Sequence, residues 1–177
     1  MMIFFCPEQV APNPQTISPS AFKPQQVMDD WHRMGMMDFL KVSSFEPVSR
    51  DDFKRVHNPQ MVDDVLDLRR RNGFRNTDPQ IAASLPYTSG SMLAAARWTL
   101  ANRCPACSPT SGFHHAGFDE PEGYCTFNGL MVTAVKLLDE GLVRTVSILD
   151  CDVHEGNGTQ DIIDRLGLQR QIQHHSM

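Results

Sequence analysis

Apolar residues recur along the chain in bursts whose spacing changes, and each burst predicts an element. Met2, Ile3, Phe4 and Phe5 read as a short strand. Pro7, Pro12, Pro14, Pro19 and Pro24 follow, a density that excludes regular structure and suits a surface-crossing loop. A helix is predicted over about 24–38, with Pro24 in its first turn. "HNPQMVDDVLDLRRRNG" predicts another, with Asn58 as cap, Pro59 at the first helical position and Asp63 and Asp64 near the start. Arg69, Arg70 and Arg71 would crowd its end, Gly73 would close it, and Val62, Val65 and Leu66 share one face. "SGSMLAAARWTLANR" reads as a helix and "CPACSPTSG" as a short strand and loop. Phe127, Leu130, Ala134 and Leu138 stand at helical spacing, with Gly141 as the stop. "VRTVSILD" predicts a buried strand around Val146, Ile148 and Leu149, and a last helix runs from near Gly158 to about Leu166. The closing "QIQHHSM" reads as a tail. Strands alternating with helices predict an α/β protein with a parallel sheet, whose ligands gather beyond the carboxyl ends of the strands.

Composition narrows the picture. A chain of 177 residues, 41% hydrophobic, can bury one sizeable core and not two. A net charge of −5 with no basic cluster predicts no nucleic-acid partner. No apolar run reaches bilayer length, and the N-terminus lacks the basic and long apolar regions of a signal peptide, so the expectation is no membrane and a cytoplasmic location. Five scattered cysteines, an odd number, fit a reducing compartment. Cys104 and Cys107 form one C-x-x-C without a second pair and read as ordinary strand-end cysteines.

Chemistry concentrates in two stretches. In "ILDCDVHEGNGTQ", Asp150, Asp152 and His154 alternate, so on extended backbone all three can point the same way. A carboxylate and an imidazole two residues apart suit Zn²⁺, or less specifically Mn²⁺ or Fe²⁺, with the remaining carboxylate orienting a histidine or holding another cation. A strand ending in a plain polar loop, with His154 on the surface, explains that run equally well. The tandem imidazoles of "SGFHHAG", His114 and His115, tilt the balance toward a metal-assisted hydrolase, one ring taking a proton from water and the other stabilising charge beside it.

"SGFHHAGFDEPEGYCTFNG" followed by "VSILDCDVHEGNGTQ" resembles the central portion of the histone deacetylase family, which includes acetylpolyamine amidohydrolases and acetoin-utilisation proteins. The likeness covers about 111–160 and extends more loosely from the first strand through "HNPQMVDDVLD". It implies the arginase/deacetylase-like three-layer α/β/α fold and zinc held by Asp152 and His154. By the same resemblance His115 is general base and acid, His114 its electrostatic partner, Asp150 hydrogen-bonds His114 and Asn157 orients His115. Gly123 and Tyr124 would line the channel for an acetyl-lysine-like arm, with Tyr124 where the family usually has phenylalanine. Asp150 and Asp152 would also help hold a structural monovalent cation. The implied reaction is hydrolysis of an N-acyl amide, with acetylated protein lysine, acetylpolyamines and other acyl amides as candidate substrates.

The departures are equally specific. The family takes a third zinc ligand, an aspartate, from a later strand and a transition-state tyrosine from a Gly-Gly-Tyr segment. After His154 only Asp161 and Asp164 remain, both in a predicted helix, and the tyrosines are Tyr87 and Tyr124. Phe113 and Glu155 stand where the family commonly has glycine and histidine. Glu155 and Gly156 after His154 nonetheless favour the single-metal deacetylase pattern over that of the related two-manganese arginases. Residues 1–177 therefore read as a single partial deacetylase-like domain lacking the C-terminal part of the family fold. Two expectations follow: a zinc-dependent amidohydrolase, or a catalytically incomplete chain that forms homo-oligomers over an open sheet edge.

Overall fold

The computed structural model describes residues 1–14 and 16–176. Strand β1 (Met2–Phe4) pairs in parallel with β2 (Lys41–Ser43) and β3 (Ala106–Cys107), in the order β2-β1-β3. A second parallel sheet joins β4 (Val146–Asp150) to β5 (Ile172–Ser176), with Val146 opposite Ile172 and Ile148 opposite His174. Helices α1 (Lys23–Arg33), α2 (Arg50–Lys54), α3 (Pro59–Leu66), α4 (Pro79–Asn102), α5 (Gly129–Asp139) and α6 (Asn157–Leu166) complete the fold. Long α4 packs on β1, β3 and α5, and so ties the two sheets together. The main core joins Phe53, Val62, Leu93, Phe127, Met131, Ile148, Ile163 and Ile172. Helices α3, α5 and α6 bury their apolar faces in the core that Ile148 of β4 and Ile172 of β5 share, which holds β4 in place.

The spacing reading holds for β1, β3, α5 and α6, within a few residues at the ends; β4 forms as a strand but is not the buried one expected, since it buries Ile148 and leaves Leu149 76% exposed. Elsewhere the structure corrects it. Helix α1 stops at Arg33 because Gly35 turns left-handed (φ 68°), and a 3-10 turn follows over Met36–Phe39. Helix α3 ends at Leu66, short of the arginines. Leu68 adopts φ 62°, the N–H groups of Arg69 and Arg70 turn back to Asp64 O, and Arg69 pairs with Asp64 and Asp67. Gly73 closes no helix. A Cβ there would stand 2.3 Å from Cys125 O, so glycine lets two loops touch.

Helix α4 begins ten residues before the predicted start, on an Asp78 cap with Pro79 first. Pro86, ahead of the predicted start, and Gly90, inside it, both serve a crossing. Pro86 O accepts from Val48 N–H at 3.1 Å, and a Cβ on Gly90 would lie 2.7 Å from Glu46 O. The closing segment is strand β5 rather than a tail, anchored by Ile172 at 2% exposure. Met177, its last residue, lies outside the described residues.

Candidate active site

Two segments meet at the carboxyl end of β4: the 111–118 loop and the turn from β4 into α6. Their approach depends on missing side chains. A Cβ at Gly158 would sit 2.4 Å from His115 C, and at Gly156 2.7 Å from Asp150 Oδ2. Neither glycine has a positive φ, so close approach rather than a tight turn explains "GNG". Thr159 N–H donates to His114 O at 3.0 Å and fixes the register of loop and helix.

A buried network stiffens the loop from behind. His57, fully buried, donates from Nδ1 to Gly117 O at 2.8 Å and accepts at Nε2 from Asn128 N–H at 2.9 Å. Asn128 caps α5 through Met131 N–H and donates to Ala116 O and Thr159 Oγ1. Asp161 accepts Phe118 N–H at 2.8 Å. Burial pushes the His57 imidazole down to about 4, so it is neutral at pH 7. Sequence reasoning read "HNP" only as a helix start. A histidine directly before a capped helix carries no local mark of burial.

On this support the candidate residues assemble. His114 Nδ1 lies 2.7 Å from Asp150 Oδ2, and Asp150 Oδ1 accepts Asp152 N–H at 3.0 Å. His115 Nδ1 lies 2.6 Å from Asn157 Oδ1. A carboxylate and an amide oxygen only accept, so each Nδ1 carries a proton, and the tautomer this selects is the one whose Nε2 is the accepting nitrogen. The two rings lie 4.1 Å apart, and His115 faces His154 edge-on at 5.8 Å. Gly123, at φ 56°, packs so tightly that a Cβ would fall 2.4 Å from His115 Cδ2. Tyr124, itself at φ 63°, sits beside Phe74 with ring centroids 5.8 Å apart. Buried Cys125 has its thiol pushed up to about 11 by burial and offers no thiolate nucleophile at neutral pH.

Asp152 and His154 stand apart, with side chains 50% and 70% exposed. Asp152 Oδ1 accepts both the backbone N–H of His154 and its Nδ1–H, at 2.9 and 2.8 Å. These bonds, the backbone one foremost, hold the Asp152 carboxyl below its ordinary range. Among the described residues no three His, Cys, Asp or Glu side chains gather closely enough to hold a metal ion. Catalytic zinc sites take three protein ligands. One carboxylate and one imidazole fall a ligand short, so the described residues do not by themselves fit a catalytic zinc.

The chain belongs to the histone deacetylase family: the profile of the histone deacetylase domain matches residues 19–177. It is 29% identical over 140 residues to the chloroplastic histone deacetylase 10 of Oryza sativa subsp. japonica, covering 69% of this chain and 32% of that relative. It is 49% identical over 61 residues to the acetylpolyamine amidohydrolase of Mycoplana ramosa, covering 34% of this chain and 17% of the relative. The crystal structure of the HDA15 HD domain superposes with a TM-score of 0.81 at 18% identity, over 98% of this chain and 51% of that one, and shares the fold. The chain thus spans about half of that solved domain and about a third or less of these curated relatives.

Proposed function

We propose that these residues form the proton-handling half of an amide-deacylating site, hydrolysing N-acyl amines such as acetyl-lysine or acetylpolyamines in a protein that completes the metal site. The observation that carries this reading is the pair of histidines, each anchored through Nδ1 so that Nε2 is the accepting nitrogen, side by side at the end of β4. His115 takes the proton of the attacking water at Nε2 and returns it to the departing amine. Asn157 holds that ring in the required tautomer while Asp150 does the same for His114. Zinc would draw on Asp152 and His154, whose Nδ1–H is already given to Asp152, together with a third ligand from beyond the described residues. Gly123 and Tyr124 flank the approach to His115.

The test is hydrolysis of an acetyl-lysine peptide and an acetylated polyamine by a preparation that turns over. His115→Ala should lower the rate by about 10²–10⁴, the usual worth of a general base. Unchanged turnover in a folded variant overturns the reading. A second reading, that the isolated chain is inactive and self-associates, is favoured by the separate sheets: β3 and β4 each keep an unpaired edge among the described residues. A groove of about 490 Å³, lined by Met92, Ala96, Leu137, Val143 and Val146 among others, opens in the same region.

A further inference from the structure

His174 on β5 lies outside both motifs and has a side chain only 4% exposed. Its Nε2 is buried without a hydrogen-bond partner among the described residues. The acidic oxygen it faces is Asp150 Oδ2, at 4.0 Å. That same oxygen accepts from His114 Nδ1. Gly156 separates the two groups by offering no side chain: a Cβ there would stand 2.7 Å from Asp150 Oδ2 and 2.8 Å from His174 Nε2. The register that sets Ile148 beside His174 and Asp150 beside Ser176 delivers the imidazole to this spot, and Ser176 Oγ accepts Gly156 N–H at 2.9 Å to hold the turn over it. A buried polar nitrogen left unpaired costs about 1–3 kcal/mol, and about 1 Å of approach brings Nε2 to hydrogen-bond distance of the carboxylate.

We infer that His174 is a positioning residue: it donates its Nε2–H to Asp150 and fixes the carboxylate that orients His114. The inference rests on the proposed function for its chemical meaning and on the geometry alone for its existence. Asp150 then takes three donors, Asp152 N–H on one oxygen and His114 and His174 on the other. Held from both sides, the carboxylate cannot rotate away when the ring of His114 moves. Burial lowers the His174 imidazole from its ordinary value, which favours the ring form with a single N–H to give.

The experiment is long-range proton–nitrogen NMR of the 177-residue chain with ¹⁵N-labelled histidine, comparing wild type, His174→Phe and His174→Gln. Wild type should show His174 as the Nε2–H tautomer and a hydrogen-bonded Nδ1 proton on His114. In His174→Phe, which keeps a ring and deletes the donor, the His114 Nδ1 proton should be lost to exchange while methyl spectra stay native. His174→Gln, which keeps a donor, should restore it. A bare Nε2 in wild-type His174, or a His114 signal unmoved in His174→Phe, overturns the inference. Neither readout needs turnover, so failure here is separate from failure of His115→Ala to reduce activity.

Discussion

Gly123 shows how a single missing side chain sets the geometry of the site. Its φ of 56° strains any other residue, and a Cβ would press on the His115 ring. Gly123→Ala is expected to destabilise the fold by about 1–3 kcal/mol and to displace His115, read as a lower denaturant midpoint and a shifted His115 spectrum. His57 acts at the same scale through pH. Its folded value of about 4 lies below the ordinary 6.5, so the unfolded chain takes up the proton first. Its contribution is complete above pH 6.5 and drains away as pH falls through about 4, a loss of about 3 kcal/mol. Urea titrations should show His57→Gln less stable than wild type at pH 7, with the gap narrowing toward pH 4.

Among elements, α4 sets propensity against packing. Gly90→Ala in a helix interior gains about 1 kcal/mol in propensity. At Gly90, however, the added carbon would meet Glu46 O at 2.7 Å and Pro47 Cα at 3.0 Å, both backbone positions that cannot swing aside. Overpacking costs about 1–3 kcal/mol, so the variant should unfold at lower denaturant than wild type. The same crossing explains why α4 was half legible. Pro86, in the unread half, is a helix breaker in isolation, and only the segment through Val48 gives it a use. Strands β2 and β5 escaped for a related reason. Three and five residues, one run reading "IQHHS", gain their order from pairing rather than from alternation. By contrast, "GFHHAG" and "DCDVHEGNG" were legible because each compresses its chemistry into a few neighbouring residues. His57 and His174 were not, because their partners lie 71 and 24 residues away in sequence.

For the whole molecule, the open edges of β3 and β4 and the lone Asp152–His154 pair carry one expectation between them. The purified chain should hold zinc near background, with Asp152→Ala indistinguishable from wild type. Its sedimentation should shift with concentration as the groove beside β4 finds company. Near-stoichiometric zinc that disappears in Asp152→Ala would show instead that a third ligand is supplied within the chain or its assembly.

The bonds of the two histidine relays join residues 114 to 150 and 115 to 157, and the strand that shelters them ends at Ser176. On a ribosome, where the amino-terminal portion folds first, the imidazoles can be locked into their tautomers once residues through Ser176 have emerged. Order of synthesis and order of assembly would then coincide, with loop, strand and helix closing on the imidazoles as soon as β5 emerges.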